Sequence, residues 1–330
     1  MAELRVIELD SPPADFLPGE PEGAAFHRAF QEARIPRFEC RYLAIFENGI
    51  RIAIVPYFLG TFCLGTMLAG GLVKRCLSRI RFRYACVGHP STDIGLIDGA
   101  VRADLLAAVN ATLQTKAPLI AYKGFTAGLP LPGFFSVHGL PVCALNIEGD
   151  YLAMFNEHRR NDFRHKLRAA AALRCETYAA LPDHLLTPVY QLYLDTLSHA
   201  QIRFEELTPK YFRQVAGLGS FHLYFEEDRL IGFLQLLTNG DKANMKYMGM
   251  DHQRNRQYYL YFVMCLRAIE TCVKAGCTHI ELGVSSYHAK QLMGCQLTET
   301  RIYYRHGHPI IHWLLGKCKF LLEPTTAELR

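Results

Sequence analysis

The sequence predicts an α+β fold of two tandem units, each a mostly antiparallel, twisted sheet flanked by helices. Three observations carry this. Asn48-Gly49 joins two β-type runs, CRYLAIFE (40–47) and IRIAIVPYF (50–58), and that dipeptide suits the positive φ values of a tight hairpin turn. Three more strand-like runs follow one another at SFHLYFEE, RLIGFLQLLT and ANMKYMGM. Both halves also read as helix, antiparallel strands, helix, strand, loop, strand, a repeat of pattern without a repeat of sequence. The division is expected at 148/149, with a first unit of 1–148, the more degenerate copy, and a second of 149–330.

The first unit opens with a helical pattern at 24–34 (AAFHRAFQEAR), and the hairpin follows. A basic segment through Lys74, Arg75, Arg79, Arg81 and Arg83 leads into the strand FRYACVG. The turn-rich HPSTDIGLIDG (89–99) precedes a helix over 101–115, a strand LIAYKGF (119–125), a Pro/Gly loop and one strand near 136–147. The second unit begins with a long helix, 151–173, whose Leu152, Phe155, Phe163, Leu167 and Ala170 share a face. A short strand RCETYAA, the helix LLTPVYQLYLDTLSHA and a short helix at 208–216 come before the three strands. The helix 256–275 is apolar on nearly every side, so it belongs packed on the sheet, and Ala275-Gly276 ends it. THIELG, the polar stretch SSYHAKQLMGC, a strand LTETRIYYR and a last helix follow. The strand at 277–282 is expected to lie parallel to a neighbour and to splay from it.

Composition narrows the function class. Half of the 330 residues are hydrophobic and 20% are charged, as in an ordinary soluble protein. A net charge of +5 suits an anionic ligand without calling for nucleic acid. The 11 cysteines form no C-x-x-C pair, so free, mostly buried thiols in a reducing cytoplasm are expected, and no metal. The acidic, Pro-rich N-terminus is no signal peptide. The stretch 52–73 comes nearest to a bilayer span but holds Pro56 and four glycines, so stable membrane insertion is not expected.

Four stretches carry a resemblance: HRRNDFRHKLRAA, RLIGFLQLLTNGDKANMKYMGM, RQYYLYFVMCLRAIETCVKAGCTHIELG and AKQLMGC. Together they resemble the GNAT acyltransferases, within them the tandem, FemAB-like and peptidoglycan-biosynthesis-type branch, over about 151–305; the first half resembles them by pattern only. AKQLMGC is similar to that branch's F-K-x-x-[FL]-G, which puts Lys290 on its lysine and Gly294 on its glycine. The resemblance implies two GNAT-like units and an N-acyltransferase moving an acyl group from a thioester (acyl-CoA or an acyl-carrier thioester) to a small amine acceptor. Groups other than aminoacyl are favoured; an aminoacyl-tRNA-dependent transferase and a catalytically silent binding module are the alternatives. One departure bears on the donor. The family's Gly-rich turn, whose N–H groups hold the CoA pyrophosphate, is here DHQRNRQYYL, without glycine, so Arg254 and Arg256 are the candidate phosphate ligands. An acyl carrier protein or aminoacyl-tRNA would then be a partner.

The resemblance proposes Lys290 for substrate phosphates, and its ammonium could equally neutralise a tetrahedral oxyanion; the plain alternative is a solvated charge. Ser285, Tyr287 and His288 stand beside it as substrate contacts. His279 and Glu281 alternate along THIELG and so share a face, as a base with its partner or as a structural pair. Tyr247 on MKYMGM is a proton donor to the leaving group or a core tyrosine. Arg160, Arg164 and Arg168 recur every four residues and, with Asn161, form an anion-binding stripe or a solvated face. His89, Ser91 and Asp93 fall in one loop, which lacks a G-x-S-x-G elbow and reads as pocket lining. The clamp expected from these residues brings Lys290, Tyr287, Glu281 and Tyr247 into one pocket.

Overall fold

The structure, a computed structural model, describes residues 3–63, 81–200 and 204–325. Lys74, Arg75 and Arg79 of the basic segment lie outside the described residues. Along the chain run β1 (Leu4–Leu9), α1 (Ala24–Ala33), β2 (Glu39–Glu47), β3 (Ile50–Cys63), β4 (Arg81–Val87) and β5 (Asp98–Gly99). Next come α2 (Ala103–Gln114), β6 (Leu119–Phe125), β7 (Phe135–His138), β8 (Val142–Asn146) and α3 (Glu157–Ala169). They are followed by β9 (Arg174–Tyr178), α4 (Asp183–His199), α5 (Pro209–Gln214), β10 (Gly219–Glu226), β11 (Arg229–Asn239) and β12 (Lys242–Met250). The remainder is α6 (His252–Tyr258), α7 (Leu260–Lys274), β13 (His279–Gly283), α8 (Tyr287–Leu292), β14 (Gln296–Thr298), β15 (Arg301–His306) and α9 (Pro309–Lys317). Among the described residues no helix is long and apolar enough to cross a membrane.

These elements form two α+β units that are not consecutive in sequence. The first comprises Met1–Phe16, Pro36–Pro141 and Glu299–Leu329; the second comprises Leu17–Ile35 and Val142–Thr298. A single cut at 148/149 therefore misses three exchanges: α1 and β8 belong to the second unit, and β15 belongs to the first. Gly139 and Pro141 are the reason at one crossing. The expected strand near 136–147 breaks there into β7 and β8, which join different sheets, and a Cβ at Gly139 would sit 2.4 Å from Thr300 Oγ1. LTETRIYYR likewise divides into β14 and β15, one for each sheet.

In the first unit the sheet order is β1-β2-β3-β4-β6-β15-β7, with β5 on β3. The β2–β3 hairpin turns on Asn48 (φ 50°) and Gly49 (φ 83°), as the dipeptide predicts. Its core gathers Val55, Tyr57, Leu106, Val109, Ile120 and Tyr122.

The second unit's sheet runs β14-β8-β13-β12-β11-β10-β9, antiparallel except where β12 and β13 pair in parallel. That pairing covers only Lys242–Asn244 against His279–Glu281, after which the two strands diverge, as the sequence suggested. One sheet face packs on α7 through Leu234, Leu236, Met245, Ile280 and Leu282. α1, α4 and α5 serve the other face. α1 is held by its buried stripe of Phe26, His27, Ala29, Phe30 and Ala33, and the left-handed Arg34 (φ 52°) ends it. Two helices are shorter than their periodicity suggests. Asn156 caps α3 by accepting from Arg159 N at 2.9 Å, so 151–154 forms only a short 3₁₀ turn before it. Tyr259 (φ 49°) separates α6 from α7, and Asn255 Oδ1 accepts from Tyr261 N across the break.

Candidate active site

Strand register decides which side chains meet. Gln235 lies opposite Tyr247, Asn244 opposite Glu281, and Lys242 opposite His279, and paired residues project from the same face. All six therefore sit on the face away from α7. A β-bulge between Gln235 and Leu236 leaves Lys246 without an opposite residue on β11. This places a lysine, a tyrosine and two carboxamides around the point where β12 parts from β13.

The helices over this face complete the chemistry. Tyr247 donates its hydroxyl to Glu205 Oε1 at 2.9 Å, and its ring packs edge-on against Tyr193 and Tyr211. Tyr211, fully buried, donates to Gln235 Oε1 at 3.2 Å, and burial raises its pKa well above the usual tyrosine value. Lys246 is ion-paired with Glu22, its side chain 4% exposed, and its ammonium lies 5.4 Å from the Phe26 ring centroid. Burial, with the Lys246 charge beside it, pushes His27 down to about 3, so that imidazole is neutral at physiological pH. At the paired end of the strands, Asn244 Nδ2 reaches Glu281 Oε2 at 3.4 Å. His279 Nε2 lies 3.7 Å from Glu281 Oε1, and the carboxylate raises the pKa of the imidazole. Lys242 binds Glu20 at 2.6 Å.

The expected clamp divides between two environments. Glu281 and Tyr247 share the polar face, whereas Lys290 and Tyr287 are buried and belong with the α7 core. Lys290 is 2% exposed, and its charge tempers the thiols of Cys265 and Cys295, which burial pushes up to about 12. The physical reason is local. Gly283 (φ 79°) and Ser286 (φ 52°) turn the chain after β13 so that α8 docks its Tyr287 into that core. Ser285 and His288 are exposed at the start of α8. On α3, Arg160 spends one N–H on Phe155 O (2.8 Å), and Arg164 donates to Asn161 Oδ1 (2.9 Å).

The turn after β12 carries Arg254 and Arg256, the expected phosphate ligands. Asp251 caps α6, its carboxylate accepting from Gln253 N (2.9 Å) and Arg254 N (3.2 Å), and Arg229 binds it at 2.6 Å. An acidic side chain thus occupies the first free N–H groups of α6. Arg254 is itself engaged by Glu226 at 3.0 Å, and Arg256 is exposed.

Sequence reasoning missed Glu205, Lys246, Glu22, Gln235 and His27. Lys246 had a signal, a charge inside an apolar central strand; Glu22 and His27 had none, because only the tertiary fold brings 17–35 to this sheet. The loop with His89, Ser91 and Asp93 in the first unit is a plug rather than a pocket. Lys123 Nζ donates to Thr92 O (2.8 Å) and Pro90 O (3.0 Å) and reaches His89 O at 3.5 Å, while Gly95 N donates to Gly124 O.

Residues 157–291 match the acetyltransferase (GNAT) domain family. No curated protein matches the chain. Among solved structures it is similar to FemX (TM-score 0.57, 11% identity, covering 91% of this chain and 96% of that one). It is also similar to a tandem GNAT protein from the clavulanic acid biosynthesis pathway (TM-score 0.54, 13% identity, 93% and 99% covered). A third likeness is the C-terminal domain of a putative lysylphosphatidylglycerol synthetase from Agrobacterium fabrum (TM-score 0.55, 11% identity, 82% and 86% covered). The GNAT-domain match thus lies within the second unit, and the fold of the chain is similar to those of FemX and of the tandem GNAT protein.

Proposed function

We propose that the second unit transfers an acyl or aminoacyl group from an activated thioester or ester to an amine. The observation that carries this is the parting of β12 from β13 beneath a face bearing Tyr247, Glu205 and Glu281. In the reaction the amine nitrogen attacks the donor carbonyl, a C–N bond forms, and the C–S or C–O bond breaks. A carboxylate takes the proton that the nitrogen sheds and returns it to the departing thiolate or alkoxide, which leaves as thiol or alcohol. Glu205 is the better base, since the Tyr247 hydroxyl orients it. Glu281 is committed to Asn244 and to His279, whose imidazolium it favours. Tyr247 then keeps its proton and positions Glu205. Lys290, buried with cysteines, supports the fold of α8 rather than an oxyanion.

Asp251 bears on the choice of donor. Its carboxylate at the start of α6 opposes a CoA pyrophosphate there, which favours a donor presented by a carrier, an acyl carrier protein or an aminoacyl-tRNA. The expected preference for groups other than aminoacyl has no support in the fold likenesses, one of which is a putative lysylphosphatidylglycerol synthetase. The same capped helix favours a second reading, a binding module without catalysis. Incubating the protein with acyl-CoA thioesters, acyl carrier protein thioesters and aminoacyl-tRNAs over a panel of amines, with mass spectrometry of the amines, separates these. Modified amine in any arm establishes transfer, and the arm names the donor. Retention of a donor with no modified amine across the panel leaves the binding module.

A further inference from the structure

A second cluster in the same unit plays no part in the reading above. It comprises Asp195 and His199 on the last turns of α4 and His252, the first residue of α6. One ligand atom from each lies within 4.8 Å of the other two. The Asp195/His199 spacing of four puts both side chains on one face of the helix, the spacing by which a helix presents two ligands to one ion. Met250 N donates to Thr196 Oγ1 at 3.1 Å, tying the end of β12, just before His252, to the same turn of α4.

Two independent features point to a ligand. His252 is partly exposed as a residue, but its Nε2 is shielded and no protein group hydrogen-bonds to it, so that nitrogen is available to a ligand. The imidazole of His199 lies with Nδ1 2.8 Å from the Asp195 carbonyl oxygen, close enough to donate to it. Ser198 Oγ lies 3.2 Å from the same nitrogen, and with Nδ1 as the donor to the carbonyl Nε2 carries a free lone pair, the outer arrangement typical of metal-bound histidines. The two rings stand 4.3 Å apart between centroids, tilted by 39° rather than stacked flat. Ligand atoms around a tetrahedral zinc ion stand roughly 3.4 Å apart, given metal–ligand distances near 2.0–2.1 Å. Small side-chain rotations at the exposed Asp195 and His199 close the difference.

We propose that Asp195, His199 and His252 bind one divalent transition-metal ion through two imidazole nitrogens and one carboxylate oxygen, with solvent completing the shell. The donor set suits Zn²⁺ and excludes the all-oxygen preference of Mg²⁺ or Ca²⁺. The ion clips the end of α4 to the start of α6, fixing the turn that follows β12. The site needs no activity to be tested. The full chain, stripped with chelator, is titrated with ZnCl₂ by calorimetry and with CoCl₂ by visible absorption. The expected result is one ion per chain, with affinity at least tenfold weaker in His199→Ala, His252→Ala and Asp195→Asn. His312→Ala, on α9 where the ring accepts from His306 N at 3.4 Å, serves as control and leaves the affinity unchanged. Zn²⁺ should also raise the melting temperature of the unsubstituted protein and not that of the three variants. The idea is overturned if neither ion binds, or if the three variants bind as tightly as the parent. Should His252→Ala fail to fold, the variants at the exposed Asp195 and His199 decide the matter alone.

Discussion

The two units solve the same junction in opposite ways. Among the described residues each has one parallel strand pair inside an otherwise antiparallel sheet: β4 with β6 over Tyr84–Val87, and β12 with β13 over Lys242–Asn244. In the first unit the junction is sealed. Lys123 reaches into the 89–95 loop and is met by carbonyl oxygens, and a Cβ at Gly124 would stand 2.4 Å from Asp93 O. In the second unit the junction is faced by Tyr247, Glu205 and Glu281, groups able to hold or move a proton. A lysine answered by backbone carbonyls has its N–H donors satisfied by the main chain, whereas carboxylates beside a tyrosine hydroxyl keep lone pairs that can accept a proton. The comparison teaches that the same parallel junction can be filled by backbone hydrogen bonds or lined by titratable side chains.

The largest effect that would sharpen this contrast is catalytic. Glu205→Gln should lower kcat for amine acylation by about 100- to 10,000-fold, with the melting temperature nearly unchanged, because the group serves chemistry on a partly exposed surface. A Glu281→Gln variant losing as much while Glu205→Gln keeps full activity would reverse the assignment of the base. Next comes the buried pair. Lys246→Met strands Glu22 and should cost about 3 kcal/mol in urea unfolding, since removing one partner leaves an uncompensated charge. A loss under half of that would mean the pair is better solvated than its burial indicates.

Sealing the first unit has its own signature. Gly124→Ala forces a Cβ onto a carbonyl oxygen at φ 80°, and about 2–3 kcal/mol of stability should be lost. Transfer activity per folded molecule should be retained; its disappearance would show that the seam of the first unit takes part in chemistry. A similar magnitude arises from pH in the second unit. His27 is depressed to about 3 in the folded state, so the unfolded chain binds the proton first as pH falls below about 6.5. Between pH 7 and pH 5 folding should lose about 2 kcal/mol on this account, and continue to lose until the pH nears 3. His27→Gln, compared over the same range, should flatten that slope. The smallest effect on stability belongs to α3. Arg160→Glu with Arg164→Glu should change stability by under about 1 kcal/mol, yet flatten the salt dependence of binding if a carrier's phosphates rest on that stripe.

Much of this was legible from local pattern. Asn48-Gly49 set its hairpin, and the alternation in THIELG put His279 and Glu281 on one face, because both depend on residues close in sequence. The buried chemistry was not. Nothing in AAFHRAF says that this helix joins a sheet more than two hundred residues later, so His27 and Glu22 could not be paired with Lys246. Lys290 shows the converse. A motif placed it at a turn after a strand, but the left-handed Ser286 sends that turn into the α7 core, a backbone choice that no side-chain pattern announces. His199 and His252 stand 53 positions apart, too far for any spacing rule to join them.

The place of β15 sets the order in which the chain can be completed during synthesis. It lies between β6 and β7 in the first sheet, so residues 301–306 must emerge from the ribosome before those two strands have their partner. Until then the first unit exposes the edges of β6 and β7 while the second, whose segments end at Thr298, already has all its strands. The unit translated first is therefore finished last. A fragment ending at residue 298 should aggregate through those open edges even though its second unit is whole, and a stably monomeric fragment with a folded first unit would contradict that order.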